Sequence, residues 1–304
     1  MTKRSFLQQF AIVVLILTTA VYSSGQTDQS KYVKLTILHT NDTHSRIEPF
    51  PMDGSRNQGL GGVAKRAEVV RRIREQNEHV LLLDAGDYFQ GTPYFNFYSG
   101  ELEITLMNEL GYDVATIGNH EFDLGLDNLA SQLSKAKFQI VNANYGIKGT
   151  PLEGILKPYT IIKKGPVKIG IFGLGVEMQG LVPEKFIGNT RYNDPVLAAN
   201  RTAGYLKNEE KCDYVICLSH LGLEYDDSTV SDHVIAKNSQ NIDLVIGGHT
   251  HSFLNEPISV MNANGKEVLI NHAGWGGIIL GRIDVFFEPK TRSKWFKSEN
   301  IKIE

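Results

Sequence analysis

Five stretches of this 304-residue chain end an apolar run on polar side chains of the kind that chemistry uses. They are Leu38-His-Thr-Asn-Asp42-Thr-His44, Leu83-Asp84-Ala-Gly-Asp87, Val114-Ala-Thr-Ile-Gly-Asn119-His120-Glu121-Phe-Asp123, Cys217-Leu-Ser-His220 and Ile246-Gly-Gly-His249-Thr-His251. Their mixture of carboxylate, amide oxygen and imidazole suits Zn, Mn, Fe or Co better than a thiolate site or an all-oxygen calcium cage. Asp42 and His44 stand two apart, so on an extended segment they project to one side and can grip one ion; His249 and His251 make a second such pair. With Asp87, Asn119 and His220 the candidate ligands number seven, too many for one tetrahedral ion and suited to two ions with open positions. A two-metal centre is therefore expected, whose chemistry is to activate a water and clamp the oxygens of a phosphoryl group.

Bringing five distant segments together requires strands that end at one edge. Apolar runs recur as strand candidates at 34–39, 80–84, 114–117, 138–141, 167–172, 214–219 and 244–247. Between many of them lie helical patterns at 63–76, 101–110, 126–136 and 195–208, and this alternation predicts an α/β fold. In an open sheet of that kind the carboxyl ends of the strands gather where ligands bind. Further on, 258–261, 268–271 and 281–287 read as consecutive strands, the first two joined by a turn at Ala263-Asn-Gly265. No repeat and no dividing linker is visible, so one domain is expected over residues 26–304.

The chain is 41% hydrophobic and 21% charged with a formal net charge of -3, which describes a folded globular protein and gives no basic signal for nucleic acid. Met1-Thr-Lys-Arg4, the apolar run from Phe10 to Val21 and the small residues Ser23-Ser24-Gly25 predict a signal peptide over residues 1–25. That apolar run is shorter than the roughly 20 residues that span a bilayer, so no stable membrane anchor is expected. Thr2-Lys-Arg-Ser-Phe-Leu-Gln8 looks like a twin-arginine signal with Lys3 in place of the first arginine. Ordinary secretion is the expected route and twin-arginine export the alternative, with a periplasmic or secreted destination. Cys212 and Cys217 fall roughly 16 Å apart on one extended run, beyond disulfide reach, and are expected as free thiols.

Taken together, Asp42-x-His44, Gly86-Asp87, Gly118-Asn-His-Glu121, His220 and Gly248-His-Thr-His251 resemble the signature of the calcineurin-like metallophosphoesterases. Within that superfamily LTILHTNDTHSRIEPF, GGVAKRAEVV, DAGDYFQGTP, NHEFDLG and GGHTHSF are most similar to the 5′-nucleotidase branch, over residues 33–285. The resemblance implies a four-layer sandwich of two mixed β-sheets flanked by helices. It divides the ligands, with Asp42, His44 and His251 on one divalent ion, Asn119, His220 and His249 on the other, and Asp87 bridging both. It assigns His120 and Asp123 to catalysis, and Asn119 with His120 to the substrate phosphate. A carboxylate on one ring nitrogen of His120 would fix its tautomer and favour imidazolium, leaving the other nitrogen to donate to a phosphate oxygen or leaving group.

The implied activity is hydrolysis of phosphate monoesters, with nucleoside 5′-monophosphates as the expected substrates. The alternatives are a phosphodiesterase for 2′,3′-cyclic nucleotides or nucleotide sugars, and a metal-binding subunit of a separate nucleotidase domain. Complete members of the branch carry a C-terminal domain that recognises the base; this sequence stops at Glu304, so that domain is expected to be absent or separately encoded.

Other polar residues read as structural. His39, His79 and His233 are expected to be core or solvated, and His272, near a glycine-rich return loop, stays outside the site. Glu121 reads either as part of the site or as an anchor of its loop. Arg66, Arg71, Arg72 and Arg74 are expected along the solvated face of a helix, interrupted by Glu68 and Glu75.

Overall fold

A computed structural model describes residues 32–288 and 293–304; the signal peptide expected at 1–25 lies outside them. Its elements in chain order are β1 (Val33–Thr40), α1 (Val63–Gln76), β2 (Val80–Asp84), α2 (Pro93–Tyr98), α3 (Glu101–Leu110), β3 (Val114–Ala115), a 3-10 turn (His120–Phe122), α4 (Gly125–Leu133), β4 (Gln139–Ile140) and β5 (Tyr145–Gly146). Then come β6 (Tyr159–Lys164), β7 (Val167–Gly175), α5 (Glu184–Ile187), β8 (Arg191–Tyr192), α6 (Pro195–Asn208), β9 (Tyr214–His220), α7 (Asp232–Asn238), β10 (Leu244–Gly247), β11 (Ile258–Met261), β12 (Glu267–His272), β13 (Ile279–Phe287) and β14 (Lys294–Lys302).

Two six-stranded sheets result, in the orders β14-β13-β1-β2-β3-β4 and β11-β12-β10-β9-β7-β6. The first sheet pairs β1, β2, β3 and β4 in parallel and adds β13 and β14 antiparallel. The second holds β12, β10, β9 and β7 in parallel between antiparallel edges β11 and β6. Parallel strands buried on both faces need continuous apolar sequence, which "VLLLD", "YVICLSH" and "LVIG" supply.

Alternation assigns each face. Leu35 and Ile37, Leu81 and Leu83 from one sheet meet Ile169 and Ile171, Ile216 and Leu218, Leu244 and Ile246 from the other in a core between the sheets. The intervening residues Leu38 and Leu82 pack instead beneath α1, α3 and α4, while Val215 and Val245 pack beneath α6 and α7. Four layers follow, helices outside and sheets inside, as the resemblance implies. Helix ends are fixed locally: Asp194 Oδ1 accepts from the amides of Val196 and Leu197 at 2.8 and 3.0 Å, with Pro195 in the first turn of α6.

Some expectations change. The strands 268–271 and 281–287 are consecutive in sequence but lie in different sheets, as β12 and β13. Arg66 is not on a solvated face: with Val63, Val70 and Ile73 it lies on the buried side of α1, only 4% exposed. Arg71 does pair with Glu68 and Glu75 in solvent, and Arg74 Nη2 donates to the carbonyl of Gly111 at 2.6 Å, tying α1 to the end of α3. Cys212 and Cys217 are both buried and free.

Candidate active site

Parallel strands from both sheets end at one seam. From the first sheet, β1 runs into Asp42 and His44, β2 into Asp87, and β3 into Asn119. From the second, β9 ends on His220 and β10 runs into His249 and His251. The loops are pinned to each other by backbone hydrogen bonds: Asp42 N donates to Gly86 O at 2.9 Å, His44 N to Asp87 O at 3.0 Å and Ser45 N to Tyr88 O at 3.0 Å. Close approach demands glycine at the crossing, since a Cβ on Gly118 would stand 2.3 Å from Asp87 Oδ1 and 2.5 Å from His220 Nε2.

Six of the seven candidate ligands fall into two groups whose donor atoms lie within 4.8 Å of one another, Asp42 with His44 and His251, and Asp87 with His220 and His249. His44 Nε2 is 2.9 Å from His251 Nε2, which is 3.4 Å from Asp42 Oδ1. In the second group His220 Nε2 is 3.0 Å from Asp87 Oδ2, and its Nδ1 is 2.7 Å from Ala85 O. The seventh, Asn119, is buried with its side-chain oxygen unpartnered. A chain that crowds carboxylates and imidazoles this closely, and leaves a buried amide oxygen without a partner, has the donor set of a divalent-metal site.

The spacing rule used on the sequence does not hold here. Asp42, His44, His249 and His251 have φ of 49°, 48°, 73° and 52°, so none of them belongs to an extended segment. His249 and His251 consequently fall into different groups, and His251 joins Asp42 and His44 from across the seam.

Beside both groups stands His120. Its amide donates to Asp87 Oδ1 at 2.9 Å and its Nδ1 faces Asp123 Oδ2 at 2.8 Å, while its ring meets that of His44 edge-on at 5.3 Å between centroids. The single 3-10 turn after Asn119 produces this arrangement, because it brings Asp123 three positions on to the same side as His120.

Electrostatics follow from burial and crowding. Burial works against charge on His120, but the hydrogen bond to Asp123 and the carboxylates of Asp87, Asp123 and Glu121 outweigh it and raise the imidazole to about 9. His220 is likewise pulled down by burial and carried up to about 10 by Asp87 and Asp42. Burial would raise Asp87, yet His220, His120 and His44 hold it below the usual carboxylate range. Burial lowers His44, and burial with the neighbouring His220 lowers His249 to about 4, so both favour the neutral form that binds metals.

Glu121 is an anchor: its carboxylate accepts from the amides of Asp87, Gly118 and Phe89. Trp275, which sequence reasoning passed over, stacks on His251 with centroids 5.9 Å apart and planes 15° apart. Its signal was the loop Gly274-Trp-Gly-Gly277 itself, noted only for its histidine. That histidine, His272, is fully buried with Nε2 2.7 Å from Asp232 Oδ2, and buried His39 takes a hydrogen bond from Asn271.

A donor set of this kind, at the strand ends of a double-sheet α/β sandwich, is that of a metal-dependent phosphoric ester hydrolase. Residues 35–253 match the family model of the calcineurin-like phosphoesterases, and the chain belongs to that family. It is 37% identical over 279 residues to a snake venom 5′-nucleotidase from Gloydius brevicauda, a match that spans 84% of this chain and 46% of that protein. It is 32% identical over 290 residues to a trifunctional nucleotide phosphoesterase protein of Bacillus subtilis, spanning 84% of this chain and 18% of that one. Among solved structures, a 5′-nucleotidase precursor from Thermus thermophilus superposes with a TM-score of 0.80 at 32% identity, over 89% of this chain and 55% of that one. The chain thus spans about half the length of the 5′-nucleotidases it matches.

Proposed function

We propose that the chain hydrolyses nucleoside 5′-monophosphates at a two-metal centre. Asp42, His44 and His251 would hold one divalent ion, Asn119, His220 and His249 the other, with Asp87 shared between them; Zn, Mn, Fe and Co all suit these donors. When bound, such ions supply Lewis-acid stabilisation of phosphoryl oxygens and an activated water. Asn119 and His120 contact the phosphate. Asp123 keeps the proton on His120 Nδ1 and steadies the imidazolium, so that Nε2 donates to a phosphate oxygen or to the departing alkoxide. The observation that carries this reading is the 2.8 Å His120–Asp123 pair set directly beside both ligand groups.

A panel of phosphate monoesters and diesters tests it: turnover of nucleoside monophosphates above that of cyclic nucleotides and nucleotide sugars supports the reading. The reverse order favours the phosphodiesterase alternative, which the similarity to a trifunctional nucleotide phosphoesterase keeps in view. Base selectivity requires stacking surfaces and polar partners beyond the phosphate site. We assign these to a C-terminal nucleotidase domain of the kind that the greater length of the relatives leaves room for, and kinetic ratios for four nucleotides with and without such a domain test that assignment. The metal-binding-subunit alternative predicts no turnover by this chain alone. No helix among the described residues is long and apolar enough to cross a membrane. Export to a periplasmic or secreted location is part of the same proposal, and fractionation of the producing cell tests it.

A further inference from the structure

The turn that carries Asp42 and His44 also faces a small, partly open cavity, lined among others by Ser45, Arg46, Arg66 of α1, Tyr88 and Glu103 of α3. Ser45 and Tyr88 are 1% exposed, Arg66 and Glu103 4%. Seven of their polar atoms have no hydrogen-bond partner: Ser45 Oγ, Arg46 Nε, Arg66 Nε and Nη1, Tyr88 Oη and both carboxylate oxygens of Glu103. Burial raises the Glu103 carboxyl, and the nearby Ser45 hydroxyl pulls it back only in part, without closing a well-formed hydrogen bond. Buried polar groups at this density are tolerated only when something satisfies them. The centre of a water molecule has about 20 Å³ open to it here. That is room for one or two waters at roughly 10 to 15 Å³ each.

The lining decides the occupant. Arg66 and Arg46 offer only donors, whereas the oxygens of Glu103 need a donor to face them. A halide would leave Glu103 unsatisfied and a metal cation would leave Arg66 unsatisfied. Water alone among small occupants both donates and accepts. The cavity also abuts strained backbone, because Asp42, His44 and Ser45 all have φ near +50° (49°, 48° and 50°), a region such residues hold only when their surroundings impose it. A Cβ on Gly277 would stand 2.1 Å from Arg66 Nη1, so the guanidinium lies close against the loop that carries Trp275.

We propose that this cavity is an ordered-water site, and that Ser45, Tyr88, Glu103 and Arg66, joined through that water, are positioning residues for Asp42 and His44. The second half rests on the reading of Asp42 and His44 as metal ligands. Ser45→Ala and Glu103→Leu each remove part of the network, while Glu103→Gln keeps the shape and one acceptor.

The test combines a high-resolution crystal structure of the full chain with calorimetric titration of Zn²⁺ or Mn²⁺ into chelator-stripped protein. The expected structure has water within hydrogen-bond distance of Ser45 Oγ and a Glu103 oxygen. The expected titration has Ser45→Ala weakening one of two metal affinities by about 10-fold or more, the range of lost outer contacts at metal sites, with the other unchanged and Glu103→Gln near the parent. Should Glu103→Leu fail to fold, Ser45→Ala carries the test. A halide, a cation or no density in the cavity overturns the water site. Metal affinities indifferent to Ser45→Ala overturn the positioning role. A parent chain that takes up no metal overturns the ligand reading and the positioning role with it, while the crystal density still decides the water site.

Discussion

The carboxylate of Glu121 accepts a hydrogen bond from the amide of Asp87 at 3.0 Å. The same group takes the amides of Gly118 at 2.6 Å and Phe89 at 3.1 Å, so one buried side chain lashes the loop after β2 to the loop after β3. Glu121→Ala leaves three buried amides without acceptors, each worth about 1 to 3 kcal/mol. A loss of several kcal/mol in denaturant unfolding is expected, with Glu121→Gln intermediate because one oxygen remains. An alanine variant as stable as the parent would show that these amides find other partners.

His120→Ala separates catalysis from metal binding. Its imidazole touches Asp123 and the His44 ring rather than completing either ligand group. The variant should keep its metal content and lose on the order of 10² to 10⁴ in turnover, the usual worth of a positioned proton donor. Asp123→Ala should lose less, acting only through His120. Elemental analysis beside steady-state kinetics decides the matter, and an emptied metal site in His120→Ala contradicts the division of the loop.

Asp87 stands within 4.0 Å of His44 Nε2 on one side and 3.0 Å of His220 Nε2 on the other. Asp87→Asn should therefore lower the content of both ions together, whereas His251→Ala should lower one. Exhaustive chelation should abolish turnover and re-addition of a divalent transition metal should restore it. Full activity after chelation would end the metal mechanism.

Gly173, on β7, lies against the segments that follow β3 and β4 of the other sheet. Its carbonyl accepts from Ala143 N at 2.8 Å, and an added Cβ would stand 2.1 Å from Val141 O and 2.4 Å from Thr116 Oγ1. Gly173→Ala should cost about 2 to 3 kcal/mol through overpacking, visible as a lowered midpoint in thermal melting.

Much of this architecture was legible because its parts obey simple periodicities. The bounds of α1, α3, α6, β2 and β10 agree with the sequence patterns, each being a clean apolar stripe or a buried run, and those of the edge strand β11 agree because an Asn-Gly turn marks its end. Among the strands that escaped, β5 and β8 are only two residues long, and β6 ("YTIIKK") and β14 ("KWFKSENIK") are half-buried or exposed edges, held by backbone pairing that imposes little on side chains. At the site, the residue types betrayed the seven candidate ligands, but their grouping depended on left-handed turns that spacing does not encode. Arg66 was misplaced although its signal was present: it repeats at the helical interval of Val63, Val70 and Ile73, and so falls on the apolar stripe of α1.

The seam between the sheets has a mechanical meaning as well. Asp42, His44, Asp87 and Asn119 hang from the first sheet, while His220, His249 and His251 hang from the second. A metal that gathers those side chains would act as a bolt through both halves of the sandwich, added to the apolar core that already joins the sheets. Stability should then rise with free metal concentration by mass action, about 2.7 kcal/mol at a hundredfold excess over Kd. The melting temperature becomes a gauge of how tightly the two sheets are fastened.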